Sequence, residues 1–459
     1  MGRARRGEDA PATDRAGPGP ARLDAVVVGA GIAGLAAACG LRRRGLEVAV
    51  CEAGPRAGGV AQTERAEGYV FERGPNTFRV NPALRDLLAE RGLDAKLVGA
   101  SPASRERFLL EGGRLVTVPL GPVAFARTPL LSARGKLRLL REPWVPRQDI
   151  PGESAAAFVA RRLGPEVAER LVAPFLIGIY AGDARRLAAE SVFAGLVEHE
   201  RTHGSIARGL LASAARRGPR GRPGIVSAQD GVSELVQSLA DELGPSLRLA
   251  TPVESLRPGA DAWEVETPGE TLRARRVVVA TPAREAAALL RKLDDESARL
   301  LEGIEYAPVA SLSFGVDPAG ARERVRGFGF LVPPGRESAL LGCLFMSQLF
   351  PDRAPPGREL LTVLAGGTFH PELLDLADDV LADRVCDALV RVLGLRGEIR
   401  RLGVTRWPRA VPQPVAGHRE RIAAVRARLA ALPSLALAGA HLDGVAFADA
   451  AASGTSAAR

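Results

Sequence analysis

Apolar residues along this chain fall into two patterns. Short unbroken runs, closed by glycine, proline or charge, read as buried strands at 26–28, 47–51, 276–280, 309–314, 329–332, 340–345 and 435–439. Segments 247–249 and 251–254 carry further strand signals. Elsewhere the spacing is helical. Phe158, Val159, Leu163, Val167, Leu171, Val172 and Phe175 recur near helical period within 154–180, and residues 100–210 are predominantly helical. An amphipathic helix opens at 229–235. The first strand runs directly into a helix, the run at 276–280 is stopped by Pro282, and another strand lies near the C-terminus. Nucleotide-fold pieces therefore recur at the start, middle and end of the chain, with no internal repeat.

The first strand breaks into Gly29-Ala30-Gly31-Ile32-Ala33-Gly34, a Gly-x-Gly-x-x-Gly turn opening a helix. Gly29 allows the turn, Gly31 lets backbone approach a pyrophosphate, and Gly34 lets helix and strand pack closely. Free N–H groups and the positive end of the helix dipole then hold phosphates. Glu52 lies eighteen residues beyond Gly34, at the end of the second strand. A carboxylate there accepts hydrogen bonds from ribose hydroxyls and repels a 2′-phosphate, which predicts a dinucleotide other than NADP. The competing reading is a degenerate unit that binds nothing; strand, helix and acid at this spacing weigh against it.

At 459 residues the chain exceeds one compact core and predicts two or three lobes. Its 46% hydrophobic and 25% charged residues are those of a soluble globular protein. Cys39, Cys51, Cys343 and Cys386 lack metal or redox spacing, so neither metal nor disulfide is predicted, and a reducing, cytoplasmic setting follows. No apolar run is long enough to span a bilayer, and the basic start lacks the apolar core of a secretory signal. Residues 1–22 read as a disordered lead-in. The net charge of +9 is almost wholly arginine-borne and suits an anionic substrate or a membrane surface. Basic residues spread along the chain, with only 4% aromatics, argue against nucleic acid.

Arg56-Ala57-Gly58-Gly59, directly after the ribose acid, is similar to the second fingerprint of the FAD-dependent amine oxidase superfamily. Other segments resemble the oxygen-dependent protoporphyrinogen oxidase family, in its order. They are Gly74-Pro75-Asn76-Thr77; Arg105-Glu106-Arg107 with Gly112-Gly113-Arg114; the stretch 174–183 around Gly178; 327–333; Phe350-Pro351-Asp352-Arg353; Trp407 with Pro412-Gln413; Gly417-His418; and Leu442-Asp443-Gly444-Val445. The resemblance runs from about residue 23 to the end of the chain.

The resemblance implies an α/β fold: a discontinuous Rossmann-like FAD-binding domain, a mixed-sheet substrate domain and a mainly helical lobe. The FAD domain would take 23–99, 216–290 and 405–459, the helical, membrane-contacting and substrate lobe 100–215, and the substrate domain 291–404. Implied FAD contacts are Gly29, Ala30, Gly31, Ile32, Ala33, Gly34, Glu52, Ala53, Arg56, Gly58, Gly59, Gly74, Pro75, Asn76 and Thr77. Val253 would meet adenine through its backbone, and Trp407, Val445, Ala446 and Phe447 would lie against the flavin. Arg107 would pair with a propionate, Gly178 would lie beside the tetrapyrrole, and Leu331 and Phe345 would be apolar walls. On the residues alone, Arg107 is equally an ordinary solvated arginine, Gly178 a helix end and Trp407 plain core.

Two departures stand out. Ala446 occupies a position that is glycine in the family, bringing a methyl where backbone approaches the flavin, and the chain stops at Arg459, where the family's terminal helix would be starting. Residues 120–150 mix Pro122, Phe125, Pro129, Leu130, Leu131 and Trp144 with Arg127, Arg134, Lys136, Arg138 and Arg141. That mixture is either a peripheral membrane contact, on the inner face of the cytoplasmic membrane, or a solvated basic face over a core helix. The implied activity is six-electron oxidation of a porphyrinogen through FAD, with O2 as acceptor and H2O2 released. Protoporphyrinogen IX is favoured over coproporphyrinogen III. No catalytic side chain is assigned, because the flavin takes the hydride, and a homodimer is compatible with the family. Another amine oxidase or desaturase, or a binding module that keeps the fold, are the alternatives.

Overall fold

The computed structural model describes residues 22–217, 224–319, 321, 324–334 and 340–459. The expected lead-in, Arg22 apart, lies outside them.

Strand β1 (Leu23–Val28) is apolar apart from Asp24 and buried on both faces, so it needs cover on both sides of the sheet. It lies between β2 (Val48–Cys51) and the strand Glu270–Val279, parallel to both, with Ala25 beside Val48 and Arg276. Helix α1 (Ile32–Arg43), with helices Val232–Leu243 and Phe447–Ala457, covers one face. Helices Ala283–Leu290, Asp295–Glu302 and His418–Leu429 cover the other. Leu247–Arg248 and Leu435–Leu437 extend the sheet in parallel. The nucleotide sheet is thus assembled from separate stretches of chain, within the expected fold class. Residues 251–254 form a loop rather than a strand, and the Thr251 N–H donates to the Glu52 carbonyl at 2.8 Å.

The second sheet has seven strands, in the order Ile399–Pro412, Tyr306–Val316, Glu359–Gly366, Leu340–Phe345, Gly329–Leu331, Phe108–Glu111 and Arg114–Thr117. Residues 108–117, which the sequence reading assigned to the helical lobe, are therefore part of this sheet. Ile399–Pro412 also runs unbroken through the expected boundary at 404/405. One face packs Phe314, Phe330, Phe345, Leu361 and Val363 against helix Asp378–Leu393. On the other, register places Thr405, Ser311, Leu364, Gly342, Leu331 and Leu109 side by side, with Trp407, Val309 and Gly366 in the next row. Side chains paired in register share a face, so this row forms the floor of whatever lies above.

The helical reading of 154–180 is interrupted at Gly164, whose φ of +104° precedes Pro165 and ends helix Ala155–Leu163. Buried Glu142 organises this lobe. It accepts from Arg162 Nε at 3.0 Å, the Ser205 hydroxyl at 2.6 Å and the N–H groups of Ile206 at 2.8 Å and Ala207 at 3.0 Å. Burial pushes its carboxyl up, but the hydrogen bonds outweigh burial and hold it below the ordinary value. A depressed carboxyl stabilises the fold above its unfolded value of about 4.3 and loses that effect as pH falls. Acidification below about pH 4 is therefore expected to lower hydrogen-exchange protection first at 142–146 and 205–207. Protection unchanged from pH 7 to pH 3, measured against intrinsic rates, would remove Glu142 as an acid-sensitive lock.

Candidate cofactor and substrate site

At the end of β1, Gly29 turns at φ +99° and donates to the Cys51 carbonyl at 2.8 Å. A Cβ on Gly34 would stand 1.9 Å from the Gly29 carbonyl oxygen, so helix and strand meet backbone to backbone. Gly31 differs: a Cβ there meets no protein atom within 4 Å. Its backbone is open to a group from outside the protein. Gly31 caps α1 without a side-chain hydrogen bond, and no acid stands in the first turn, which leaves the N–H groups near Ile32 and Ala33 for an anion. Gly58 lies against this turn, bridging to Gly31 and donating to the Ala30 carbonyl at 2.8 Å, with Gly59 beside it.

The Glu52 carboxylate accepts from the N–H groups of Ala30 at 2.7 Å and Gly54 at 2.8 Å, which fixes it at the mouth of β2. Val253 is half-buried in the loop that Thr251 ties to Glu52, while Ala53 and Arg56 are exposed on the turn that follows Glu52. The helix Phe447–Ala457 crosses α1 with Gly454 against Ala33, where a Cβ would come within 1.9 Å of the Ala33 carbonyl oxygen. Its start, from Val445 through Ala446 to Phe447, reaches Phe78, the two rings lying 5.0 Å apart. Ala446 has φ −73° and ψ 152°, an ordinary extended geometry, so its methyl strains no backbone.

Gly74 closes onto the glycine turn, because a Cβ would lie 2.0 Å from the Val60 carbonyl oxygen. The Arg73 N–H donates to the Gln62 carbonyl at 2.8 Å, and the Arg73 carbonyl accepts from the Trp407 indole at 2.8 Å. The loop of Gly74, Pro75, Asn76 and Thr77 is thereby clamped between the FAD-type turn and the second sheet. Asn76 donates through Nδ2 to Gly74 at 3.1 Å, and its buried Oδ1 has no protein partner. Gln62, which the sequence reading missed, repeats this arrangement: Nε2 donates to the Gly59 carbonyl at 2.7 Å, and buried Oε1 accepts nothing. Gln62 opens the polar run Gln62-Thr63-Glu64-Arg65 after the Gly58-Gly59-Val60 turn, so nothing in the sequence set it apart. Each partnerless buried amide oxygen costs about 1–3 kcal/mol, so two of them on loops that close onto the glycine turn fit a bound dinucleotide that brings hydrogen-bond donors.

On the substrate side, Gly178 and Leu331 meet: a Cβ on Gly178 would stand 2.7 Å from a Leu331 methyl. Gly178 lies inside helix Ala173–Tyr180, which ends at Ala181 with φ +50°, so the helix-end reading is replaced by a packing one. Arg107 is half-buried, its guanidinium stacked 4.8 Å from the Phe328 ring centre. Its buried Nε has no partner, and no carboxylate pairs with it among the described residues. Burial and the charge of Arg79 press its pKa below the ordinary value, yet an arginine stays protonated. Strand alternation puts Arg107, two residues before Leu109, on the face of Leu331. Phe345 is not brought there. It is fully buried on the opposite face, 6.1 Å from the Phe330 ring, while Leu344, paired with Gly329 and Thr362, takes the face expected of it.

Residues 32–459 match the flavin containing amine oxidoreductase family. The chain is 33% identical to protoporphyrinogen oxidase 1, chloroplastic, of Spinacia oleracea, covering 93% of this chain and 81% of the relative. It is 30% identical to coproporphyrinogen III oxidase of Bacillus subtilis, over 92% of this chain and 94% of that one. A crystal structure from Exiguobacterium sp. 255-15, provisionally named a protoporphyrinogen oxidase, superposes with a TM-score of 0.80 at 27% identity, covering 96% of this chain and 98% of that one. The cofactor is FAD, which the glycine cradle, Glu52 and the partnerless amides fit. With a family match and relatives spanning nearly its whole length, the chain belongs to the flavin containing amine oxidoreductase family, among the protoporphyrinogen and coproporphyrinogen oxidases.

Proposed function

We propose that this protein oxidises protoporphyrinogen IX to protoporphyrin IX, with O2 as final acceptor and H2O2 as by-product. Arg107 carries the reading: a guanidinium without a carboxylate partner among the described residues, on the sheet face that also bears Leu331 and Trp407. A porphyrinogen is an apolar macrocycle with carboxylate arms, so it needs an apolar floor and a fixed cation. FAD, when bound, supplies two-electron acceptance, repeated until six electrons are removed. The chain's own residues position and shield: Leu331, Leu364 and Leu109 form the floor, Gly178 lets its helix settle onto Leu331, and Trp407 holds the loop of Gly74 and Asn76 in place. Arg107 binds a propionate bidentately, its ring stacking fixing the guanidinium plane.

The Bacillus subtilis relative and the charge of Arg79 near Arg107 favour a second reading, coproporphyrinogen III, whose additional propionates want additional cations. Porphyrin fluorescence during aerobic turnover, with both porphyrinogens in parallel and autoxidation subtracted, decides between them. Faster protoporphyrin formation supports the first reading and a preference for the four-propionate substrate the second; turnover of neither by FAD-loaded protein sinks both. Arg107→Ala is expected to raise KM for the porphyrinogen about 10–100-fold while FAD content stays unchanged. An unchanged KM would remove Arg107 from the site.

The reading extends to a peripheral membrane contact. Leu120, Val123, Leu137, Leu140 and Trp144 are exposed beside Arg134, Lys136 and Arg141, while Leu130 and Leu131, read with them from the sequence, are buried core. No helix among the described residues is long and apolar enough to cross a membrane. Co-sedimentation with anionic vesicles, lost in Leu140→Glu/Trp144→Glu, tests the contact. A homodimer belongs to the same proposal and is read by light scattering.

A further inference from the structure

Gln62 sits where three parts of the cofactor site meet. Its side-chain Nε2 is held by the Gly59 carbonyl at 2.7 Å, its backbone carbonyl accepts from Arg73 at 2.8 Å, and Arg73 in turn accepts from Trp407. Gly74, one residue on, touches Val60, two residues before Gln62. The side chain is buried. Turning the amide over would set its oxygen against the Gly59 carbonyl, acceptor against acceptor, so the network itself fixes which end is free. The free end is Oε1, buried and without a partner. What satisfies it must therefore be a donor, which excludes the phosphate oxygens of the cofactor and its ring carbonyls and leaves its ring N–H groups, its hydroxyls and the adenine amino group.

We propose that Gln62 Oε1 accepts a hydrogen bond from a ring N–H of the FAD isoalloxazine, making Gln62 a residue that tunes the bound flavin. The ring offers such a donor at N3 in both redox states and at N5 after reduction. An acceptor held against a group that gains a proton on reduction stabilises the reduced state; one held against N3–H opposes its ionisation. This assignment rests on the FAD cradle and not on the identity of the oxidised substrate.

The test compares the FAD-loaded wild type with Gln62→Met, which keeps the length and removes the acceptor, and with Gln62→Ala. If the donor is N5–H, the reduced-to-oxidised ratio of bound flavin at a given potential falls about tenfold, about 30 mV for a two-electron couple. If the donor is N3–H, the midpoint stays and alkaline ionisation of the oxidised flavin, followed by absorbance, moves to lower pH. Either result supports the proposal and says which nitrogen is held. A variant that loses FAD affinity while bound flavin keeps wild-type potential and ionisation would overturn it, leaving Gln62 as a latch on Gly59. A change confined to the porphyrinogen KM would also overturn it, moving Oε1 to the substrate. Should neither variant retain FAD, wild-type protein loaded with FAD carrying 15N at N3 and N5, observed oxidised and after reduction, gives the answer. A downfield-shifted proton on one nitrogen is expected, and solvent-like shifts on both would end the assignment.

Discussion

Replacing Arg353 by alanine is expected to destabilise the protein by about 3–5 kcal/mol at neutral pH, because it strands a buried carboxylate. Glu72 is 1% exposed and Arg353 2%, with N and O 3.1 Å apart. The Thr63 hydroxyl donates to the same carboxylate at 2.6 Å and the Val232 N–H at 3.1 Å. Arg353 also donates to Ser227 at 3.0 Å and to the Ala228 carbonyl at 2.8 Å. The pair thus ties the connection between strands Leu340–Phe345 and Glu359–Gly366 of the second sheet to strand Tyr69–Glu72, which leads into Gly74. Burial pushes the Glu72 carboxyl above its ordinary value, with Arg353, Thr63 and Val232 pulling it back only in part. For a carboxyl raised by folding, stability is fully present below the unfolded value and is lost as pH rises through the folded one. Removing Arg353 raises it further, so the deficit of the variant should grow from pH 5 to pH 8. Denaturant titrations at the two pH values check this, and Glu72→Gln/Arg353→Met should recover much of the loss. A deficit below about 1 kcal/mol that ignores pH would mean the pair is not desolvated.

The second large effect separates two glycines that a sequence pattern treats alike. Gly34→Ala forces a methyl within 1.9 Å of the Gly29 carbonyl oxygen, so it should lower the melting temperature of the apoprotein and weaken FAD binding together. Gly31→Ala meets no protein atom within 4 Å, so the apoprotein should melt as wild type while FAD affinity falls about 10–100-fold. Calorimetry of apoprotein and flavin fluorescence titration read the two quantities. A Gly31→Ala protein with wild-type FAD affinity would show that nothing approaches that backbone.

Much of the cofactor half was legible because it is local. Residues 26–34 and Glu52 obey spacing rules that depend on one strand, one turn and one helix, and the structure places them with Gly58 against the same turn. The substrate half was less legible. Phe345 and Leu344 are neighbours in sequence, yet strand alternation sends one into the core beneath helix Asp378–Leu393 and the other to the face of Leu331. No pattern within 340–345 says which face is which, since both are apolar. Residues 108–117 misled for a similar reason: a four-residue hairpin strand carries too little periodicity to stand out beside helical neighbours.

By itself the sequence determined the dinucleotide unit, the family and the order of the segments, because each is written in contiguous residues or in their succession. Only the tertiary structure decided that Gln62 and Asn76 present acceptor oxygens, that Glu72 depends on Arg353, and that Arg107 shares a face with Leu331 and Trp407. These are relations between residues up to some three hundred positions apart. They arise where sheets and loops close on one another, and hydrogen-bond satisfaction and strand register, not local propensity, select the partners.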